Sequence, residues 1–92
     1  MRLPTHRPPT HPGEMLRKEF LEPMRLTQVA AARRMKMPLT RLNEIVRKKR
    51  GISADTAWSL SELLGTTPQF WMNLQATWDL WHAREARQHR AA

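Results

Sequence analysis

Residues 33–50 read RRMKMPLTRLNEIVRKKR. Met35, Met37, Leu39, Leu42, Ile45 and Val46 recur there at helical spacing inside a dense field of positive charge. A folding core needs the first feature and gains nothing from the second, so the charge answers to a partner. The excess is local: residues 25–50 carry nine Lys or Arg side chains against Glu44 alone, while residues 51–83 carry no Lys or Arg and three acids. The chain as a whole nets +8. One basic segment in a small domain points to a polyanion, with nucleic acid ahead of an anionic membrane surface.

Working outward, Pro38 opens a helix in which Leu42, Ile45, Val46 and Lys49 share one face and Thr40, Arg41, Asn43, Glu44 and Arg47 share the other. Upstream, Thr27 is an N-cap for a helix TQVAAARRM that turns Ala31, Ala32 and Met35 inward, followed by a turn at Lys36 and Met37. Before that, Pro12 opens a short helix with Met15, Leu16, Phe20 and Leu21 on one side, and Pro23 is expected to stop it. Downstream, Ser53 caps a helix with Ala57, Leu60, Leu63 and Leu64 inward and Gly65 at its end. Thr67 and Pro68 start a last helix, expected to run to about Arg87. No stretch alternates with a period of two. The expectation is an all-α domain of five helices over 11–87, with a flexible arm at 1–10 and a disordered tail at 88–92.

Two helices joined by a tight turn, the second with an exposed polar face, make a helix-turn-helix spanning about 28–47. Pinned from beneath by Leu42 and Ile45, the second helix presents Thr40, Arg41, Asn43 and Glu44 near its N-terminus, the end that reaches base edges in a major groove. Arg41 suits guanine O6 and N7. Asn43 suits adenine or a phosphate, and Glu44 either accepts from cytosine or orients Arg41. Thr27, Gln28, Arg33, Lys36, Arg47, Lys48, Lys49 and Arg50 are assigned to phosphates, which supply affinity and register, and Arg34 lies beside the turn among the cations that could reach them.

The stretches THPGEMLRKEFLEP at 10–23, LTQ at 26–28, RLNEI at 41–45 and KRGISADTAWSLSELLGTTPQFWMNLQATWDL at 49–80 resemble the HigA family of antitoxins, within the repressor-type helix-turn-helix class. The resemblance implies a cytoplasmic, dimeric, autoregulating DNA-binding protein. It also implies neutralisation of a small toxin encoded beside it, usually an RNase that cuts messenger RNA on the ribosome. The chain departs from that pattern at three positions. Lys36 and Lys48 stand where the family usually has Gly, and Ala30 stands where it often has Glu. Lysine in a left-handed turn costs about 1 kcal/mol relative to glycine. Either that strain is kept in exchange for phosphate affinity, or the turns are reshaped.

Trp71, Leu74, Trp78 and Trp81 form one stripe on the last helix. For Trp71 and Leu74 core and interface both remain open, with Phe70 and Leu63 able to close the core instead. Trp78 and Trp81 are expected at a two-fold dimer seam, which implies a palindromic operator. Ninety-two residues without cysteine exclude a disulfide framework and a thiolate metal site, and no apolar run approaches the roughly 20 residues that span a bilayer. His6, His11, His82 and His89 lack ligand spacing, so no metal or other cofactor is expected, and no catalytic set is visible. Two other binding readings remain: a solitary repressor without a toxin, and a protein-interaction module whose basic face meets an acidic partner.

Overall fold

The structure is a computed structural model that describes residues 7–91, and within them the chain forms five helices and no strand. Helix α1 is one continuous run of an α-helical segment Pro12–Leu16, a π-helical segment Arg17–Leu21 and a last turn Glu22–Met24. It is followed by α2 (Gln28–Met35), α3 (Leu39–Val46), α4 (Ala54–Leu64) and α5 (Pro68–Ala91). Positions 1–6 of the expected arm lie outside the described residues; positions 7–10 are non-helical.

Pro23 does not stop α1, contrary to the sequence expectation. The π-helical segment just upstream widens the helix where the proline ring would otherwise meet the carbonyl four residues back, so the run continues to Met24. It ends one residue later. Arg25 turns left-handed (φ 54°, ψ 38°), its N–H donates to the Glu22 carbonyl at 3.1 Å, and the Leu26 N–H donates to the Leu21 carbonyl at 2.9 Å.

The same device ends α2 and α3. Lys36 sits at φ 55°, with the Met37 N–H on the Ala32 carbonyl at 3.0 Å, and Lys48 at φ 64°, with the Lys49 N–H on the Glu44 carbonyl at 2.8 Å. The left-handed backbone that suits glycine is therefore kept with lysine in it, at about 1–2 kcal/mol of strain per residue. The turns are not reshaped. Because α3 closes at Val46, Lys49 lies beyond the helix and is exposed, so it does not share the buried face expected for it.

The core draws on every helix: Leu16 and Leu21, Ala31 and Ala32, Leu42, Ile45 and Val46, Ala57 and Leu60, and Trp71, with Ile52 from the loop before α4. Trp71 is fully buried and its indole N–H donates to the Thr66 hydroxyl at 2.7 Å, which satisfies its one polar atom. Phe70 and Phe20 stand 5.0 and 5.4 Å from its ring, and Leu63 and Leu74 pack partly buried against the cluster. Trp71 is thus core, and Phe70 and Leu63 support it rather than replace it.

Helix α5 continues four residues past the expected end at Arg87, so residues 88–91 are helical rather than a disordered tail. The run EARQHRA contains no glycine or proline and is rich in strong helix formers, so nothing in it terminates the helix. At the other end of the chain, His11 is buried and caps α1, its Nδ1 accepting from the Gly13 N–H at 2.9 Å. Its ring meets Trp78 edge-on at 4.8 Å, and Trp78 also lies 4.2 Å from His82. Burial, with the Lys48 cation adding to it, holds the His11 imidazole below its ordinary pKa.

Candidate nucleic-acid interface

Three local arrangements hold α3 in place. Leu42 and Ile45 are 0 % and 1 % exposed, which pins the inner face. At its C-terminal end α1 crosses so closely that a Cβ on Gly13 would overlap the Ile45 carbonyl oxygen and stand 3.0 Å from the Val46 Cα. Past that end, the buried Gln75 of α5 accepts the Ile52 N–H at 2.7 Å and donates to Asp79 at 2.9 Å. The loop that follows α3 is thereby tied to α5, a connection the sequence reading missed because Gln75 falls on the apolar stripe of that helix.

With α3 seated this way, Thr40 and Arg41 are exposed and Asn43 and Glu44 are half-buried, all on or beside the outward face. Asn43 Nδ2 donates to Gln28 Oε1 at 3.2 Å, so the first residue of α2 and the middle of α3 are joined by an amide pair. Glu44 faces Arg50 at 3.3 Å rather than Arg41, which removes the reading in which it orients Arg41. Between the two helices lies an open groove of about 680 Å³ lined by Gln28, Val29, Leu39, Thr40, Asn43 and Glu44.

Leu39 is 45 % exposed although it belongs to the apolar pattern of residues 35–46. It stands three residues before Leu42, about 60° to one side of it around the helix, at the edge of the buried stripe. Val29 on α2 is likewise exposed, at 51 %. A helical-wheel reading that weighted the stripe's edge would have found both.

The cations expected at phosphates remain on the surface. Arg33, Arg34, Lys36, Arg47, Lys48, Lys49 and Arg50 are all exposed, and only Arg50 among them has an ion-pair partner among the salt bridges of the described residues. Thr27 caps α2, its hydroxyl accepting the Ala30 N–H at 3.1 Å, so the cap is made without the family's glutamate at position 30. A polar helix face flanked on both ends by unpaired cations, beside a groove, fits a duplex whose phosphates lie to either side of a groove of base edges.

A helix-turn-helix family model matches residues 18–71, which contain the whole of α2, α3 and α4. Antitoxin HigA-1 of Vibrio cholerae serotype O1 is 39 % identical over 87 residues, covering 95 % of this chain and 82 % of that one. The chain belongs to the HigA family of helix-turn-helix antitoxins. Virulence-associated protein I of Dichelobacter nodosus is 46 % identical over 81 residues, covering 88 % of this chain and 75 % of that protein. The structure of Pseudomonas aeruginosa antitoxin HigA with higBA promoter matches this HigA-family fold with a TM-score of 0.85 at 44 % identity, covering 90 % of both chains. Among the described residues of this HigA-family chain no helix is long and apolar enough to cross a membrane, and no cluster of three His, Cys, Asp or Glu could hold a metal.

Proposed function

We propose that this chain is an antitoxin that binds palindromic operator DNA as a homodimer, represses its own operon and neutralises a cognate toxin encoded beside it. The observation that carries the DNA half is the seating of α3: an inner face sealed by Leu42 and Ile45 leaves Thr40, Arg41 and Asn43 outward among exposed cations. In this reading Arg41 grips guanine, Thr40 and Asn43 contact neighbouring base edges, and Glu44, neutralised by Arg50, has a lesser share. Thr27, Arg33, Lys36, Arg47, Lys48, Lys49 and Arg50 hold phosphates, and Gln28 does so through its backbone N–H at the start of α2, which leaves its side-chain amide to the groove. The toxin half is supported by membership of the antitoxin family and by the 44 % identity to Pseudomonas aeruginosa antitoxin HigA.

Two recognition helices about 34 Å apart, one turn of duplex, match a two-fold dimer. The seam assigned to Trp78 and Trp81 is supported by the half-burial of both side chains, which leaves part of each at the surface of α5. Within the protomer Trp78 meets His11 and Trp81 meets His82, both edge-on. Nothing in these roles requires turnover, and the expected compartment is the cytoplasm, where operator and toxin are found together.

A gel shift with DNA from upstream of the chain's own gene tests the repressor reading: a sequence-specific shift at moderate salt is expected, and its absence overturns it. Co-expression with the neighbouring reading frame tests the antitoxin reading, with rescue of growth expected and continued toxicity contradicting it.

A further inference from the structure

The groove between α2 and α3 contains two side chains that do not fit a purely polar readout. Val29 and Leu39 are 51 % and 45 % exposed and line the same groove as Gln28, Thr40 and Asn43. Single exposed aliphatics on a surface are ordinary. Two that converge on the outward side of a helix-turn-helix, in a groove otherwise lined by Gln28, Thr40, Asn43 and Glu44, call for an apolar group presented beside hydrogen-bonding ones, as the edge of a base pair presents it. The base edges of a major groove offer one such group, the C5 methyl of thymine.

Resting on the operator-binding reading above, we infer that Val29 and Leu39 read thymine methyl groups in each operator half-site and are specificity-determining residues. The neighbouring amides complete the recognition. Asn43 Nδ2 is held on Gln28 Oε1, which leaves Gln28 Nε2 and Asn43 Oδ1 to face adenine N7 and N6 of the same or the next pair. A methyl contact and an amide contact side by side distinguish A·T from G·C and set its orientation. Burying one methyl against an aliphatic side chain contributes about fourfold in affinity, about 0.8 kcal/mol.

Deoxyuridine lacks only that methyl, which gives a direct test. The upstream DNA fragment is prepared with thymine and, separately, with uracil throughout, and both are titrated by gel shift against the full chain, Leu39→Ala and Val29→Ala. Wild type is expected to bind the uracil form about fourfold more weakly per contacted methyl and at least about tenfold for a dimer on two half-sites. The two variants should narrow that gap, and random-sequence DNA should show none. Single uracil replacements should then map the effect to one or two pairs per half-site. Equal wild-type affinity for both forms overturns the inference while leaving operator binding intact. A gap that persists unchanged in both variants assigns it to duplex shape and also overturns it. Absence of any specific shift overturns the operator reading on which the inference rests.

Discussion

Replacing Lys36 and Lys48 with glycine sets two effects against each other. Both lysines hold φ near 60° at the ends of α2 and α3. A left-handed non-glycine residue costs about 1–2 kcal/mol, and glycine's greater freedom in the unfolded chain takes back about 0.5–1 kcal/mol of the relief. Each substitution should therefore stabilise by about 0.5–1 kcal/mol, and the pair by about 1–2 kcal/mol. At about 4–8 °C per kcal/mol for a domain of this size, Tm should rise by roughly 5–15 °C for the double variant. Operator binding should move the other way. If both ammonium groups meet phosphates, the slope of log K against log salt should flatten by about 0.9 for each lysine removed. Thermal melts followed by circular dichroism, at pH 7.5 or above where His11 is neutral, measure the first effect; salt-titrated gel shifts measure the second. An unchanged or lower Tm would refute the strain argument. A higher Tm with an unchanged salt slope would keep the strain and refute the phosphate role.

Further outcomes follow from neighbouring contacts. Gly13→Ala should destabilise the fold by about 1–3 kcal/mol or more, since the added Cβ overlaps the Ile45 carbonyl and must push α1 off α3; a wild-type Tm would contradict that packing. Gln75→Leu should cost about 1–3 kcal/mol by leaving the buried Ile52 N–H without its acceptor, and hydrogen exchange at Ile52 should accelerate. The folded-state pKa of His11 lies below its unfolded value, so the unfolded chain binds the extra proton and stability falls as pH drops through about 6.5 toward the lower folded pKa, then levels off. His11→Asn, which keeps an N-cap acceptor, should flatten melts compared between pH 7.5 and 5.5; an unchanged pH dependence would place its origin elsewhere. Trp81→Ala should shift the mass in solution from dimer toward monomer, and an unaltered dimer by sedimentation would remove the proposed seam.

The helix inventory was legible because each start carries a chemical mark: Thr27, Ser53 and Thr67 all cap as their types and positions imply. What the sequence hid were features that depend on how neighbours close around a residue. Pro23 reads as a stop until a π-helical segment relieves its clash, and Lys36 and Lys48 read as departures until both prove to hold the left-handed turn. The tail at 88–91 lacks any stop signal and so stays helical. At the interface the polar face of α3 was readable from its period alone. The pairings within it were not: Glu44 lies three residues from Arg41 yet turns to Arg50, six residues away across the left-handed bend at Lys48. The exposure of Leu39 was not legible either, because period alone does not separate the centre of a stripe from its edge.

The central claim is that an outward Arg41 selects sequence while the cations beyond α3 supply general affinity. The most direct test is the ratio of operator to random-DNA affinity, measured by gel shift at fixed salt for the wild type, Arg41→Ala and Lys49→Ala. Arg41→Ala is predicted to cut the ratio by about 1–3 kcal/mol per half-site reader, roughly 5- to 150-fold, and Lys49→Ala to weaken both affinities with the ratio preserved. Equal losses on operator and random DNA for both variants would contradict the account.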